Sequence, residues 1–344
     1  MSKKQWIVNP GANLVSECAK VGRFLEYDYR LSIKNAEVPS SFEENLLPTG
    51  RRFVIIGARS VPMATAKSVF LCLRLAGAES VVVKTATEDE GLLVKNVLDN
   101  WTPDGVKTKI FSVGSDKLGD YPEWVESLEN ATDIVVFGGE DTAKSFEELD
   151  SKDRHVYIHG PKFSFSIVDA KTLTMVDLMD ICSDFANFYG EGCLSPKFCV
   201  IVGDIGANWY HEASIIMRAE YGDRIEGFRS KMTLAKKSQL VQEMTSSNII
   251  EKFVRLETLE NDEKLLSSLY GDIRFINIKS LKELWPFMDK WKNRISSVSS
   301  SDNEEAINLL QKFGVVRVCN FGEMQFPEFD EQFDSVDDFD IYMQ

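Results

Sequence analysis

The sequence predicts an α/β protein made of two doubly wound parallel sheets. Between residues 52 and 169, short β-branched runs alternate with longer stretches of helical periodicity, the mark of strand–helix–strand units with right-handed crossovers. The apolar runs are short and unalternated, as strands covered on both faces require. A chain of 344 residues, 44% hydrophobic and 27% charged, is long enough for two domains with true cores.

In order along the chain, strands are predicted at Phe53–Gly57, Ser80–Lys84, Lys107–Val113, Asp133–Gly138 and His155–His159, with helices near 62–76, 88–99, 121–130 and 140–149. Sheets of this kind bind ligands beyond the carboxyl ends of their strands, so the loops after Ile56, Lys84, Phe137 and Ile158 are the ones to watch. A second series begins with the strand Phe165–Val168 and a helix over 173–189, then a strand over 198–202 and a long helical region over 205–247. A strand near 273–278, helices near 280–295 and 303–313, and a strand near 314–319 follow. The Ser-rich stretch 296–301 reads as a loop. The expected division is 1–165 for an N-terminal segment with a nucleotide-binding domain, 166–320 for a catalytic domain, and 321–344 for an acidic, aromatic tail. No basic residue follows Arg317; the tail either docks a partner or packs its aromatics on its own body.

The net charge is −15, which repels phosphate backbones and anionic lipid, so nucleic acid and membrane surfaces are poor partners. No apolar run is long enough to span a bilayer, and no secretory signal is evident at the start. The expected location is cytoplasmic. Six cysteines, at 18, 72, 182, 193, 199 and 319, form no C-x-x-C pair, and with three histidines no metal site is expected. Most of these thiols fit the role of small buried hydrophobe.

No G-x-G-x-x-G, G-x-x-x-x-G-K-[ST], H-E-x-x-H or G-x-S-x-G motif is present. The sharpest local signal is Cys193, flanked by Gly190 and Gly192. Glycines let backbone come close to a ligand, and a thiol in such a loop can attack a carbonyl; the same residues also fit a glycine turn around a buried cysteine. Phe137-Gly138-Gly139-Glu140-Asp141 reads as a strand-to-helix turn that a nucleotide can approach, or as a helix start already satisfied by its acids. Lys84 ends a strand where a ribose or phosphate would lie, though strand-end lysines are commonly just solvated.

Ser60-Val61-Pro62, Val83-Lys84, Gly138-Gly139-Glu140-Asp141, His159-Gly160-Pro161-Lys162 and Cys193-Leu194-Ser195-Pro196 occur in series. Together they resemble the LuxC-type acyl-CoA reductases, a branch of the aldehyde dehydrogenase superfamily, over residues 50 to 320. The resemblance implies an aldehyde-dehydrogenase-like fold with a cofactor-binding and a catalytic domain. It also implies a ping-pong reaction in which Cys193 takes the acyl group from a thioester, coenzyme A leaves, and a nicotinamide cofactor reduces the acyl-enzyme to an aldehyde. Cys193 is the implied nucleophile and its backbone N–H an oxyanion donor. Ser60 stands where the superfamily has an oxyanion asparagine. Lys84, Thr85, Thr87, Gly138, Gly139, Glu140, Gly160, Pro161 and Lys162 are the implied cofactor contacts.

Two further departures bear on chemistry. Ile158 matches the glutamate that activates the hydrolytic water of aldehyde dehydrogenases, which favours a reductase over an acid-forming enzyme. Thr87 matches the acid that binds the ribose hydroxyls in NAD-type members, which leans towards NADP(H) over NAD(H). The implied substrate is an acyl-CoA or acyl-protein thioester, with an acyl-activating enzyme as a possible partner and a homo-oligomer as the expected state. An aldehyde-oxidising dehydrogenase and a catalytically weak binding or scaffold subunit are the competing readings.

Overall fold

The computed structural model describes residues 49–58, 62–112, 115–160, 162–246, 248–260, 265–267, 270–301, 304–325 and 341–342. These form two compact units.

The first unit holds strands β1 (Arg52–Ile56), β2 (Ser80–Lys84), β3 (Lys107–Phe111), β4 (Asp133–Phe137) and β5 (His155–His159), and helices α1 (Pro62–Arg74), α2 (Glu88–Trp101), α3 (Pro122–Glu129) and α4 (Glu140–Glu147). The strands are all parallel in the order β3-β2-β1-β4-β5. Phe53, Ile55, Val81, Val83 and Val135 face one core layer with Val69, Phe70 and Leu73 of α1 and Val94 of α2. Val54, Ile56, Val82, Ile134 and Val136 face a second layer with Trp124 of α3. Burial on both faces is why these strands read as unbroken apolar runs. Strand order reverses between β1 and β4, and crevices at such switch points are where open α/β sheets take ligands. Gly57 and Gly138 open the two loops that flank it.

The first core also contains Ile341 and Tyr342. Arg51 donates to the Ile341 carbonyl at 2.8 Å, the Ser68 and Tyr342 hydroxyls are 2.5 Å apart, and the rings of Phe53 and Tyr342 lie 6.2 Å apart. These tail residues pack on the chain's own body.

The described residues of the second unit run from Lys162 to Gln325. Its elements are β6 (Phe163–Asp169), α5 (Met175–Ala186), β7 (Pro196–Val202), α6 (Gly206–Ile216), α7 (Gly222–Lys231), α8 (Leu234–Ser246), β8 (Asn248–Glu251), β9 (Val254–Glu257), β10 (Ile273–Ile278), α9 (Trp285–Trp291), β11 (Ile295–Ser300), α10 (Glu304–Lys312) and β12 (Arg317–Cys319). The sheet order is β12-β11-β6-β7-β10-β9-β8, parallel except for the β8–β9 hairpin.

Three expectations need correction. The Ser-rich stretch 296–301 is not a loop: all of Ile295–Ser300 is buried as β11, between β6 and β12. Ser299 donates to the Ser166 hydroxyl at 2.8 Å, while the Ser296 and Ser297 hydroxyls are buried without a partner among the described residues, so parallel pairing on both edges overrides both poor strand propensity and the cost of those hydroxyls. The helical region over 205–247 is broken into three helices, with one irregular turn at 217–221, and β8 and β9 follow it unforeseen. The sheets change over at residues 161–162, because β6 begins at Phe163, and residues 321–325 belong to the second unit, where Phe321 and Met324 are buried.

Candidate active site

In the first unit, the expected cofactor contacts that are described follow the carboxyl ends of β2, β4 and β5. Lys84 ends β2 and is half-buried. Thr85 is buried, its hydroxyl 2.9 Å from that of Ser112, so it ties the loop after β2 to the chain beyond β3. Thr87 caps α2: its hydroxyl accepts from the Glu90 N–H at 3.2 Å, the ordinary way to satisfy a first-turn donor. Glu90 itself is fully buried. Its carboxyl accepts from the Thr65 hydroxyl at 2.5 Å and from the Ala86 N–H, while Thr65 accepts from the Ala58 N–H at 2.8 Å. Burial raises the Glu90 pKa, opposed by these hydrogen bonds and by the nearby Lys84 charge. One carboxyl therefore knits together the loops after β1 and β2.

At the β4–α4 turn, the Gly138 N–H donates to the His159 carbonyl at 3.3 Å, and a Cβ on Gly138 would lie 2.7 Å from Thr142. Gly139 is the N-cap of α4, where no side chain caps the helix and a Cβ would meet nothing within 4 Å. Backbone donors at a helix start beside open space, at the switch point, form a cradle that suits a phosphate-bearing cofactor. Glu140 points to solvent and pairs with Lys144 at 3.0 Å. Gly160 is half-buried after β5, and Lys162, half-buried, opens the second unit. Ser60 and Pro161 lie outside the described residues, as does Cys18. Ile158 packs against the second core layer, an apolar side chain with no capacity to activate water.

In the second unit, Cys193 stands on a short turn just before β7, at the amino ends of the parallel strands. Tyr189 and Gly190, with φ of 55° and 73°, reverse the chain as it leaves α5; left-handed backbone is costly for tyrosine and natural for glycine. The turn closes through Ser195 N–H to the Gly192 carbonyl at 3.2 Å. Ser164 of β6 donates to the Cys193 carbonyl at 2.7 Å and accepts from the Ser297 N–H of β11 at 3.2 Å. Gln325 donates to the Ser195 hydroxyl at 3.0 Å. The chain leading to Gln325 is fixed by Asp184, which accepts from the Gly322 and Met324 N–H groups at 2.8 and 3.3 Å, and by Arg317, which donates to the Met324 carbonyl at 2.9 Å.

The thiols differ in kind. Burial pushes the Cys182 and Cys199 thiols far up, which leaves them as inert packing groups, and Cys72 is equally buried. Cys193 is half-buried and shares its turn with charges: Lys197 donates to the Gly190 carbonyl, and Lys236 of α8 pairs with Glu191. Among the described residues no His, Cys, Asp and Glu cluster is suited to a metal ion, and no helix is long and apolar enough to cross a membrane. Glu90, Ser164, Lys197 and Gln325 escaped the sequence reading, because each acts through contacts distant in the chain.

Comparison with known proteins adds the following. A family described as acyl-CoA reductase (LuxC) matches residues 119–340. No curated protein matches the chain. Among solved structures, a substrate-bound Staphylococcus aureus AldH is similar at 16% identity and a TM-score of 0.59, over 90% of this chain and 71% of that one. A putative methylmalonate-semialdehyde dehydrogenase from Sinorhizobium meliloti, complexed with NAD, gives 13% identity and 0.58 over 83% and 64%. A bifunctional proline utilization A protein gives 12% and 0.55 over 82% of this chain but 31% of its own. These likenesses show the aldehyde dehydrogenase fold, of whose larger members the chain spans only part.

Proposed function

Because the chain belongs to the LuxC acyl-CoA reductase family, we propose that it reduces an acyl thioester to an aldehyde through an acyl-enzyme on Cys193. The observation that carries the reading is the Cys193 turn, which presents a half-buried thiol on backbone anchored by Ser164 of β6 at the Cys193 carbonyl and by Gln325 at the neighbouring Ser195 hydroxyl. A fixed nucleophile converts much of the entropy of attack into prepaid positioning.

The Cys193 sulfur attacks the thioester carbonyl; a new carbon–sulfur bond forms, the bond to coenzyme A breaks, and the leaving sulfur takes a proton. Ser164 holds the Cys193 carbonyl and so anchors the backbone of the turn to β6. The nicotinamide cofactor, when bound, supplies the two-electron reduction of the Cys193 thioester, after which the aldehyde departs and the thiolate is restored. Gly138, Gly139 and the first N–H groups of α4 would hold its phosphates, with Lys84 on the ribose side. Ile158, standing by resemblance in place of the water-activating glutamate of aldehyde dehydrogenases, supports reduction of the acyl-enzyme over its hydrolysis. Thr87 brings no carboxylate to the ribose, which supports NADPH as the preferred reductant.

Incubation with acyl-CoA and no cofactor tests the reading. One acyl mass should appear on the peptide that contains Cys193 and vanish in Cys193→Ala. Acylation that persists in the variant, or that lands on Cys182 or Cys199, overturns it. NADPH oxidation with acyl-CoA, set against NADP⁺ reduction with aldehyde, then separates the reductase from a dehydrogenase.

A further inference from the structure

We infer that Gln325 is a positioning residue for acyl transfer: through the Ser195 hydroxyl it sets where the Cys193 sulfur stands when the thioester arrives. The inference rests on Cys193 being the nucleophile.

The turn that carries Cys193 is held at two points. On one side, Ser164 of β6 donates to the Cys193 carbonyl at 2.7 Å. On the other, the Gln325 amide, 130 residues beyond Ser195, donates to the Ser195 hydroxyl at 3.0 Å. That hydroxyl donates in turn to the Asn187 carbonyl at 3.4 Å. A hydroxyl has a single proton, so with it spent on Asn187 the Ser195 oxygen can only accept from Gln325. The relay therefore has a direction, and it joins the chain beyond β12, the turn and the chain just past α5. Ser195 is fully buried and Gln325 is 5% exposed, so bulk water does not compete for either group.

The segment that delivers the amide is pinned along its length. Phe321 shares a core with Leu178 and Phe185 of α5. Asp184 accepts from the Gly322 and Met324 N–H groups at 2.8 and 3.3 Å. Arg317 donates to the Glu323 and Met324 carbonyls, both at 2.9 Å. Asp184 and Arg317 are themselves buried, and buried charge is costly to place. Two such side chains thus fix the backbone from which one amide reaches the turn. An apolar side chain at 325 would fill the same space; the amide adds a direction. Attack on a carbonyl depends on such placement, since a misplacement of about 1 Å can cost about a hundredfold in rate.

The test uses the full chain. Acyl transfer from acyl-CoA to the Cys193 peptide, without cofactor, is timed by mass in wild type, Gln325→Met, Ser195→Ala and the double variant. Alkylation of the same peptide by iodoacetamide is timed alongside. Methionine keeps the length and removes the donor, so acyl transfer should slow by about tenfold. Iodoacetamide, small and not held by the protein, should stay within about twofold of its wild-type rate, because ionisation of the thiol is not altered. Once Ser195 is alanine, Gln325→Met should cost nothing more, since the two residues act as a unit. A purely structural glutamine would lower the urea midpoint and leave acyl transfer in the folded variant as it was. Unchanged acyl transfer in folded Gln325→Met, an equal slowing with iodoacetamide, or losses that multiply in the double variant overturn the inference. If Gln325→Met does not fold, Ser195→Ala removes the other partner and decides by the same two rates. Failure of the parent reading looks different: wild type itself takes no acyl mass at Cys193, and the inference falls with it.

Discussion

Placing a methyl group on Gly57 should unfasten the loops that flank the switch point of the first sheet. The Gly57 N–H donates to the Lys84 carbonyl at 2.8 Å. A Cβ there would lie 2.0 Å from the Glu90 Oε1 and 2.9 Å from the Lys84 carbonyl oxygen. The carboxyl has nowhere to retreat, since Glu90 is fully buried and held by Thr65 and Ala86. Gly57→Ala must therefore expel it or pry β1 from β2 at this end. Expulsion forfeits two hydrogen bonds and leaves their donors buried, at about 1–3 kcal/mol each, so the variant should lose about 3 kcal/mol of stability. Urea denaturation of the full chain, followed by a probe in the first unit, measures it. Removing the obstructing carboxyl as well gives a second reading: Gly57→Ala with Glu90→Ala should be less damaging than the sum of the two, by about 2 kcal/mol of coupling. A Gly57→Ala chain within about 0.5 kcal/mol of wild type, or a strictly additive double variant, refutes the reasoning.

Other outcomes are expected from the same structure. Burial raises Asp184 from 3.8 to about 7, so the folded chain holds a proton there that the unfolded chain releases; its stabilising effect is complete below about pH 4 and is lost as pH rises through 7. Urea midpoints should therefore fall between pH 5 and 8, and Asp184→Asn should flatten that slope, whereas a variant as pH-dependent as wild type would remove Asp184 as the cause. Gly139→Leu, whose side chain enters open space, should unfold like wild type yet lose nucleotide binding by titration; unchanged affinity would dismiss the cradle. Thr87→Asp keeps the α2 cap, since aspartate caps as well as threonine, and adds a carboxylate. The ratio of kcat/KM for NADPH over NADH should drop by about tenfold, given that about 1.4 kcal/mol of repulsion is a decade, and a wild type preferring NADH would show that position 87 does not face the ribose.

The first sheet was readable because each of its strands is a compact apolar run between turn residues, so periodicity and burial agree. β11 was not, because its serines are buried between β6 and β12 by backbone pairing on both edges, and no local pattern announces that. β9 was missed for a related reason: Arg255 is fully buried there against Asp272, and a strand carrying an arginine reads as surface until its partner is known. Around the site, the glycines at 138, 139, 190 and 192 gave themselves away by type. Glu90 sits in the run Glu88-Asp89-Glu90, where nothing but three-dimensional packing says which acid turns inward. Ser164 and Lys197 likewise matter through what they reach, and reach is not a property of spacing.

The burial of Ile341 and Tyr342 in the first unit has a bearing on how the chain is made. Synthesis runs from the first residue to the last, and domains ordinarily fold as units in the order in which they emerge. Here the first sheet and its helices are complete by residue 160, but the side chains that fill the place beside Phe53 and Ser68 are made only after the whole of the second sheet. Until then Arg51 lacks the Ile341 carbonyl, and the first core lacks the Ile341 and Tyr342 side chains. Sealing of the first core therefore depends on residues that lie beyond the second sheet in the chain.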